Sequence, residues 1–274
     1  MNARERGVWR PVGALLTLCL VGSAGAQELY GQNLVVNGTA EAAPAAPNPD
    51  VLATIPAWIR TGTLNVLAYG TPGGFPTPSS PGPASRGSNF FFGGASAIAF
   101  GSQTIDVSSG AADIDAGLVS YDFEAYLGGK GTEEDNAVLS LVFNDENGQS
   151  VGTASLNGPS AAQRGGVTGL LRRTRTGLVP GGTRAIQLGL LFSRFAGAYN
   201  DGSADNISVM FTRACPPCVA DFNSSGGTPD DADVNAFFEA WSRGEDCADA
   251  NHSGGTPDDA DVQQFFDLWN NGGC

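Results

Sequence analysis

The sequence predicts a mainly β protein, a jelly-roll β-sandwich followed by a small α-helical unit. Three observations predict it. Across residues 27–213, short apolar or alternating runs recur between Gly, Pro, Asn and Asp clusters, as in an all-β chain. The segment 220–241 returns at 248–269, with the block Ser-Gly-Gly-Thr-Pro-Asp-Asp-Ala-Asp-Val identical in both copies. Between these regions, at 214–218, composition changes abruptly. Residues 219–274 hold 12 acidic side chains against the single basic Arg243, whereas 27–218 hold 15 against 10. The division expected is a leader at 1–26, a sandwich at 27–213, a Pro/Cys linker at 214–218 and a tandem-repeat unit at 219–274.

Residues 1–26 have the pattern of an export signal. Arg4, Arg6 and Arg10 precede a short apolar stretch, and Ala24-Gly25-Ala26 is a small-residue cleavage site. The stretch is too short to span a bilayer, and no later segment is long and apolar enough to be a membrane helix. The expectation is a secreted protein. After cleavage the chain would carry 27 acidic and 11 basic residues, and Lys130 is its only lysine. That charge excludes nucleic acid and anionic membranes as partners, since both require a basic footprint. A lone histidine, His252, leaves no Ser-His-Asp triad and disfavours most zinc hydrolases.

In 27–213 the strand-like runs fall at 34–36, 64–69, 89–92, 103–107, 118–126, 137–143, 151–156, 167–172, 183–192 and 207–212. Tyr121, Phe123 and Ala125 alternate with Asp122, Glu124 and Tyr126, as on a half-buried strand. Asn144-Asp145-Glu146-Asn147-Gly148 reads as a hairpin turn. About ten short strands with no helical period favour two packed sheets. Arg172, Arg173 and Arg175 read as a solvated strand face. Asp113, Asp115, Asp122 and Glu124 are candidate glycosidase carboxylates, but nothing in their spacing places two of them across a cleft. Trp58, Tyr69 and Phe90 to Phe92 suit a core better than a sugar platform. No catalytic constellation is identifiable.

In each repeat a loop dense in oxygen ligands precedes an apolar-periodic segment. Asp221, Asn223 and Ser225 stand at alternate positions, Gly226-Gly227 allows a tight turn, and Asp233 closes the loop. The second loop offers Asp249, Asn251, Ser253, Gly254-Gly255 and Asp261. Side chains at every second residue can converge on one point, which suits Ca2+ with its roughly 6–8 oxygen ligands. No Cys or His occupies a ligand position, which disfavours soft metals. Val234, Phe237, Phe238 and Trp241 follow the i, i+3, i+4, i+7 spacing of a helix, and Val262, Phe265, Phe266 and Trp269 repeat it. Neither stripe can be buried by one helix alone, so the two should pack together as a pseudo-twofold pair. Asp230, Asp231 and Asp233 near the first helix start favour that end of the helix dipole.

This tail resembles a dockerin domain, two calcium loops each with its exiting helix. Ala-Asp-x-Asn, Phe-Phe-x-x-Trp and the terminal Gly-Gly-Cys resemble the GC-type form. The resemblance implies two Ca2+ ions and a cohesin-like protein or cell-surface anchor as partner. The sequence departs from the pattern in two ways. The loop from Asp221 to Asp233 has thirteen residues where the usual loop has twelve, and Ser225 and Ser253 replace aspartate. Thr228 and Thr256 are then the candidates for backbone-carbonyl ligands. Fewer anionic ligands imply weaker binding.

A second resemblance lies in the larger region. Asn33-Leu34-Val35-Val36-Asn37-Gly38-Thr39-Ala40-Glu41, followed by Trp58, looks like the opening of galactose-binding-like jelly rolls, which include many carbohydrate-binding modules. Tyr199 to Val209 looks like their closing strand. It implies a structural Ca2+ shared by Glu41 and Asp205, with backbone oxygens near Asn37 and Gly38, and a glycan ligand. Dockerins usually carry hydrolases, so a jelly-roll glycoside hydrolase or lyase is the alternative function, and a purely structural surface protein a further one. Cys215, Cys218, Cys247 and Cys274 allow three complete disulfide pairings, a Cys218–Cys274 clasp among them. The terminal cysteine could equally be an attachment site. A redox role for Cys215-Pro-Pro-Cys218 is disfavoured by its place in a linker.

Overall fold

The computed structural model describes residues 29–226 and 228–272. The segment read as an export signal, Cys19, Gly227 and Cys274 lie outside the described residues. Among the described residues, ten strands form two five-stranded antiparallel sheets. The strands are β1 (Ile59–Thr61), β2 (Asn65–Ala68), β3 (Asn89–Gly94), β4 (Ile98–Asp106), β5 (Val119–Gly129), β6 (Asn136–Asn144), β7 (Ser150–Asn157), β8 (Gly169–Leu178), β9 (Ala185–Ser193) and β10 (Asn200–Arg213). One sheet has the order β1-β4-β9-β6-β7 and the other β2-β3-β10-β5-β8, the two faces of a jelly-roll sandwich. A five-residue helix α1 (Ala111–Asp115) sits between β4 and β5, which the sequence had not predicted.

The alternation read from the sequence holds on β5, where Val119, Tyr121, Phe123, Ala125 and Leu127 are buried and Asp122 is exposed. The β6–β7 turn is the expected hairpin, closed by Asp145 Oδ1 accepting from the N–H groups of Asn147 (2.9 Å) and Gln149 (2.8 Å). β3 departs from simple alternation, since Phe90, Phe91 and Phe92 are all fully buried. Both faces of β3 are covered. Phe91 meets Trp58 at 5.1 Å between ring centroids, while Phe90 packs on Tyr69 (5.0 Å) and Phe92 on Phe75 (4.9 Å). Trp58, Tyr69 and the Phe triplet are thus core residues.

The predicted opening strand at 34–36 is not a strand. The segment makes only single bridges, Tyr30 to Phe211 and Asn33 to Met210. The Asn33 side chain takes the place of a ladder. Its Oδ1 accepts from Val35 N and Val209 N, both at 3.0 Å, and its Nδ2 donates to Ile207 O at 3.0 Å. An asparagine amide offers the same donor and acceptor as a backbone unit, so it competes with regular pairing.

The tail holds α2 (Asp231–Ser242) and α3 (Asp259–Asn270). Their stripes pack on each other as expected, in a core separate from that of the sandwich. Phe237 and Phe265 stack at 4.1 Å with an interplanar angle of 10°, and Phe222 meets both edge-on. The two halves also exchange identical bonds. Trp241 Nε1 donates to Asp258 O and Trp269 Nε1 to Asp230 O, each at 3.2 Å.

Arg213, at the end of β10, joins the two cores. Its Nε lies 2.9 Å from Asp113 Oδ1, and its guanidinium sits 5.4 Å from the Phe222 ring centroid. The 214–218 segment is tied at both its sides. Ala214 N donates to Leu118 O at 2.7 Å, and Cys215 is disulfide-bonded to Cys247 with Cα atoms 4.9 Å apart. Of the pairings open in the sequence, this one excludes a Cys215–Cys218 bridge. Cys218 is also disulfide-bonded.

Replacing Phe237, which is fully buried, removes the ring stacked on Phe265 between the two helices. Phe237→Ala should cost about 3–5 kcal/mol. Urea unfolding is expected to show early loss of helical circular dichroism, with the tyrosine and tryptophan near-UV signal of the sandwich retained to higher denaturant.

Candidate metal centres

The two repeat loops are held by the same hydrogen bonds at matching positions. In the first, Ser225 N donates to Asp221 Oδ1 (3.0 Å) and to Asn223 Oδ1 (2.8 Å), and Gly226 N to Asp221 Oδ2 (3.0 Å). Asn223 N donates to Asp233 Oδ1 at 3.1 Å and Asp230 N to Asp233 Oδ2 at 2.8 Å. In the second, Ser253 N reaches Asp249 Oδ1 (2.9 Å) and Asn251 Oδ1 (2.8 Å), and Gly254 N reaches Asp249 Oδ2 (2.8 Å). Asp261 accepts from Asn251 N (3.1 Å) and Asp258 N (2.8 Å). Five side-chain oxygens per loop, from two aspartates and one asparagine, thus accept from loop N–H groups.

The backbone is shaped to the same end. Ser224 and His252 adopt left-handed φ of 55° and 56°, and Gly226 and Gly254 follow at 77° and 79°. A non-glycine residue there costs about 1–2 kcal/mol. It persists only where surrounding contacts impose it. Asp230 and Asp258 are N-caps, and Asp233 and Asp261 stand at the third helical position in reciprocal capping boxes. Both closing aspartates are 1% exposed. In the second loop the N–H of Gly254, then that of Ser253, holds the Asp249 carboxyl below the usual range. Thr228 and Thr256 are exposed.

The donor set fits a hard cation. Each loop brings together two carboxylates and an amide oxygen, with no sulfur or imidazole donor among them. Each bound oxygen keeps a second lone pair beyond the one its N–H partner uses.

Glu41 and Asp205 lie in one neighbourhood, beneath the 69–88 connection. Glu41 Oε1 accepts from Ser88 N and Asn89 N, each at 2.7 Å, and its Oε2 from Asn89 Nδ2 at 3.2 Å. Asp205, fully buried, accepts from Tyr69 OH and Asn206 N, each at 2.7 Å. Burial pushes its carboxyl up to about 7, against the opposing pull of those two donors, and the Glu41 charge adds to the rise. The Gly38 carbonyl accepts from Ile207 N at 2.9 Å, and that of Asn37 from Trp58 Nε1 at 3.2 Å.

A further cluster was not anticipated. Glu133, Asp135 and Asp201 bring one carboxylate oxygen each within 4.8 Å of one another. Burial pushes the Asp201 carboxyl up to about 7, with Glu133 beside it adding to the rise and Lys130 opposing it. The sequence signal was the acidic run Glu133-Glu134-Asp135. Asp201 lies 66 residues from Asp135, and only the meeting of β6 and β10 unites them.

The other carboxylates singled out from the sequence do not converge. Asp113 bonds Tyr30 and Arg213, Asp115 pairs with Arg184, Glu124 pairs with Arg172, and Asp122 faces solvent. Arg173 bonds Asn157 O and Gln163 Oε1, on the exposed face expected for it.

No known family profile and no curated protein matches the chain. Among solved structures, a cyclase from Fischerella sp. in its apo form is 16% identical, over 66% of this chain and 96% of that one, with a TM-score of 0.46. A structure described as Family 16 Carbohydrate Binding Module-2 is 16% identical over 65% of this chain and 99% of that one, with a TM-score of 0.39. The enzymatically active domain of bacteriophage CBA120 tailspike protein 4 is 20% identical over 66% of this chain and 21% of that one, with a TM-score of 0.42. At such values no chemistry carries across.

Raised carboxyl pKa values fix the sign of a pH effect. With folded values of about 7, Asp201 and Asp205 retain protons that the unfolded chain releases near its ordinary value of 3.8. Their contribution to stability is complete below that value and is lost as pH rises through about 7. In chelator, the urea midpoint should fall between about pH 5 and pH 8. Asp205→Asn, which keeps an acceptor for Tyr69, should flatten part of that fall.

Proposed function

We propose that the chain is an exported calcium-dependent attachment protein. In this reading residues 219–274 form a dockerin-like module that binds two Ca2+ ions. The observation that supports it most is the duplicated loop skeleton, in which Asp221, Asn223 and Asp233 match Asp249, Asn251 and Asp261 bond for bond. Calcium would supply charge neutralisation and fix the loop. The chain's own residues do the rest. The capping boxes hold each closing carboxylate at its helix start, and the Phe237–Phe265 stack transmits loop order to the paired helices. Folding and ion binding are then one equilibrium.

The exposed side of that pair is the face offered to a cohesin-like protein or surface anchor. Phe238 is 36% exposed there. The sandwich, as a separate domain over 27–213, is read as the part that binds a glycan or other surface component. Phe195, 72% exposed on the β9–β10 connection, offers a ring on which a sugar face can stack. Glu41 and Asp205 are read as a third calcium site, in which protein donors hold the carboxylate oxygens as they do in the repeat loops.

Calorimetric titration of the full chain with calcium tests the reading. Asp221→Ala and Asp249→Ala should each abolish one binding event and the double variant two, with a matching loss of calcium-induced helix signal. Wild-type protein that takes up no calcium in the tail at millimolar concentration would contradict it. Glycan-array binding that falls on Phe195→Ala is the expected outcome for the sandwich.

A further inference from the structure

Lys130, Glu133, Asp135 and Asp201 meet where the β5–β6 connection passes the start of β10. Asp135 is fully committed to the backbone. Its Oδ1 accepts from Phe195 N (2.6 Å) and Ala196 N (3.1 Å), and its Oδ2 from Asp201 N (2.9 Å). Lys130 Nζ stands 3.6 Å from Asp201 Oδ2 and 3.8 Å from Glu133 Oε1. The remaining oxygens, Glu133 Oε2 and Asp201 Oδ1, are shut off from solvent and have no hydrogen-bond donor. Asp201 is only 3% exposed.

A buried carboxylate oxygen without a partner is costly, and two facing each other cost more. Lys130 answers one of three negative charges. One divalent cation would bring the cluster to neutrality. The donors are all oxygens, which selects a hard ion.

We propose that Glu133 Oε2 and Asp201 Oδ1 are ligands of one hard divalent cation of the calcium class, with Asp135 as the positioning residue behind them. The site is separate from the tail loops and from Glu41 and Asp205. It joins the β5–β6 connection to the start of β10, and because Asp135 behind it binds Phe195 N and Ala196 N, occupancy holds the backbone that presents Phe195. A proton shared between Glu133 and Asp201 is the competing way to satisfy the same two oxygens.

Metal-stripped full-length protein is dialysed against calcium alone, and bound ions are counted for wild type, Glu133→Gln and Asp201→Asn. Each variant is expected to hold one ion fewer than wild type, with its far-UV circular dichroism unchanged. A count equal to that of wild type in both variants overturns the proposal and assigns the shared proton. Glu133 is 31% exposed, so its variant keeps the test decisive if Asp201→Asn fails to fold. Ions lost through the Asp221 and Asp249 variants are counted separately, so failure of the tail reading and failure of this one are distinguishable.

Discussion

Twenty-eight acidic side chains face fourteen lysines and arginines, and the fold is organised by how that excess is neutralised. The sandwich does it with few cations. Three tyrosine hydroxyls donate to aspartates at 2.6–2.7 Å: Tyr30 to Asp113, Tyr69 to Asp205 and Tyr199 to Asp50. Backbone N–H groups serve Glu41 and Asp135. Helix N-termini serve four aspartates in the tail, where negative charge meets the positive end of the dipole. The repeat-loop carboxylates take backbone N–H donors as well, and among the described residues the buried carboxylate oxygens left without a donor are Glu133 Oε2 and Asp201 Oδ1. A charge deficit of this kind, met by oxygen-only donors, is the common basis for assigning cations to all of them.

The helix pair shows how duplication solves a packing problem. One twelve-residue helix with Phe, Phe and Trp on a single face has nothing to bury them against. Two copies related by a pseudo-twofold bury each other's stripes, and each tryptophan indole bonds the N-cap carbonyl of the other copy's helix. Because each N-cap belongs to a loop, loop order in one repeat is linked to helix packing in the other. Phe222, at the second position of the first loop, packs on that core and receives Arg213 from the end of β10. The first loop therefore adjoins the sandwich directly, and the Cys215–Cys247 disulfide closes the same junction.

Much of this was legible in the sequence because it is local. The repeat, its alternate oxygen-bearing side chains and its apolar stripe all lie within single stretches of chain. Strand alternation on β5 and the Asn144–Gly148 turn are local as well. The misreadings come from tertiary context. Leu34 to Val36 have strand composition, but the Asn33 side chain replaces the ladder. Phe90 and Phe92 break the strand alternation because Tyr69, Phe75 and Tyr199 cover their face. Ile59–Thr61 is a strand of three exposed residues with no pattern to reveal it. The Glu133–Asp201 pairing depends on sheet topology, which no spacing rule encodes.

Thermal unfolding of the full chain at neutral pH, in chelator and then in millimolar calcium, tests the neutralisation account most directly. Ions that bind only the folded state raise the melting temperature, by about 2.7 kcal/mol of stability per site at a hundredfold excess over Kd. The account predicts a large upward shift with calcium and a smaller one with the same ionic strength of sodium chloride. Identical melting curves in chelator and calcium would contradict it, because the carboxylates would then need no cation beyond those the chain itself supplies.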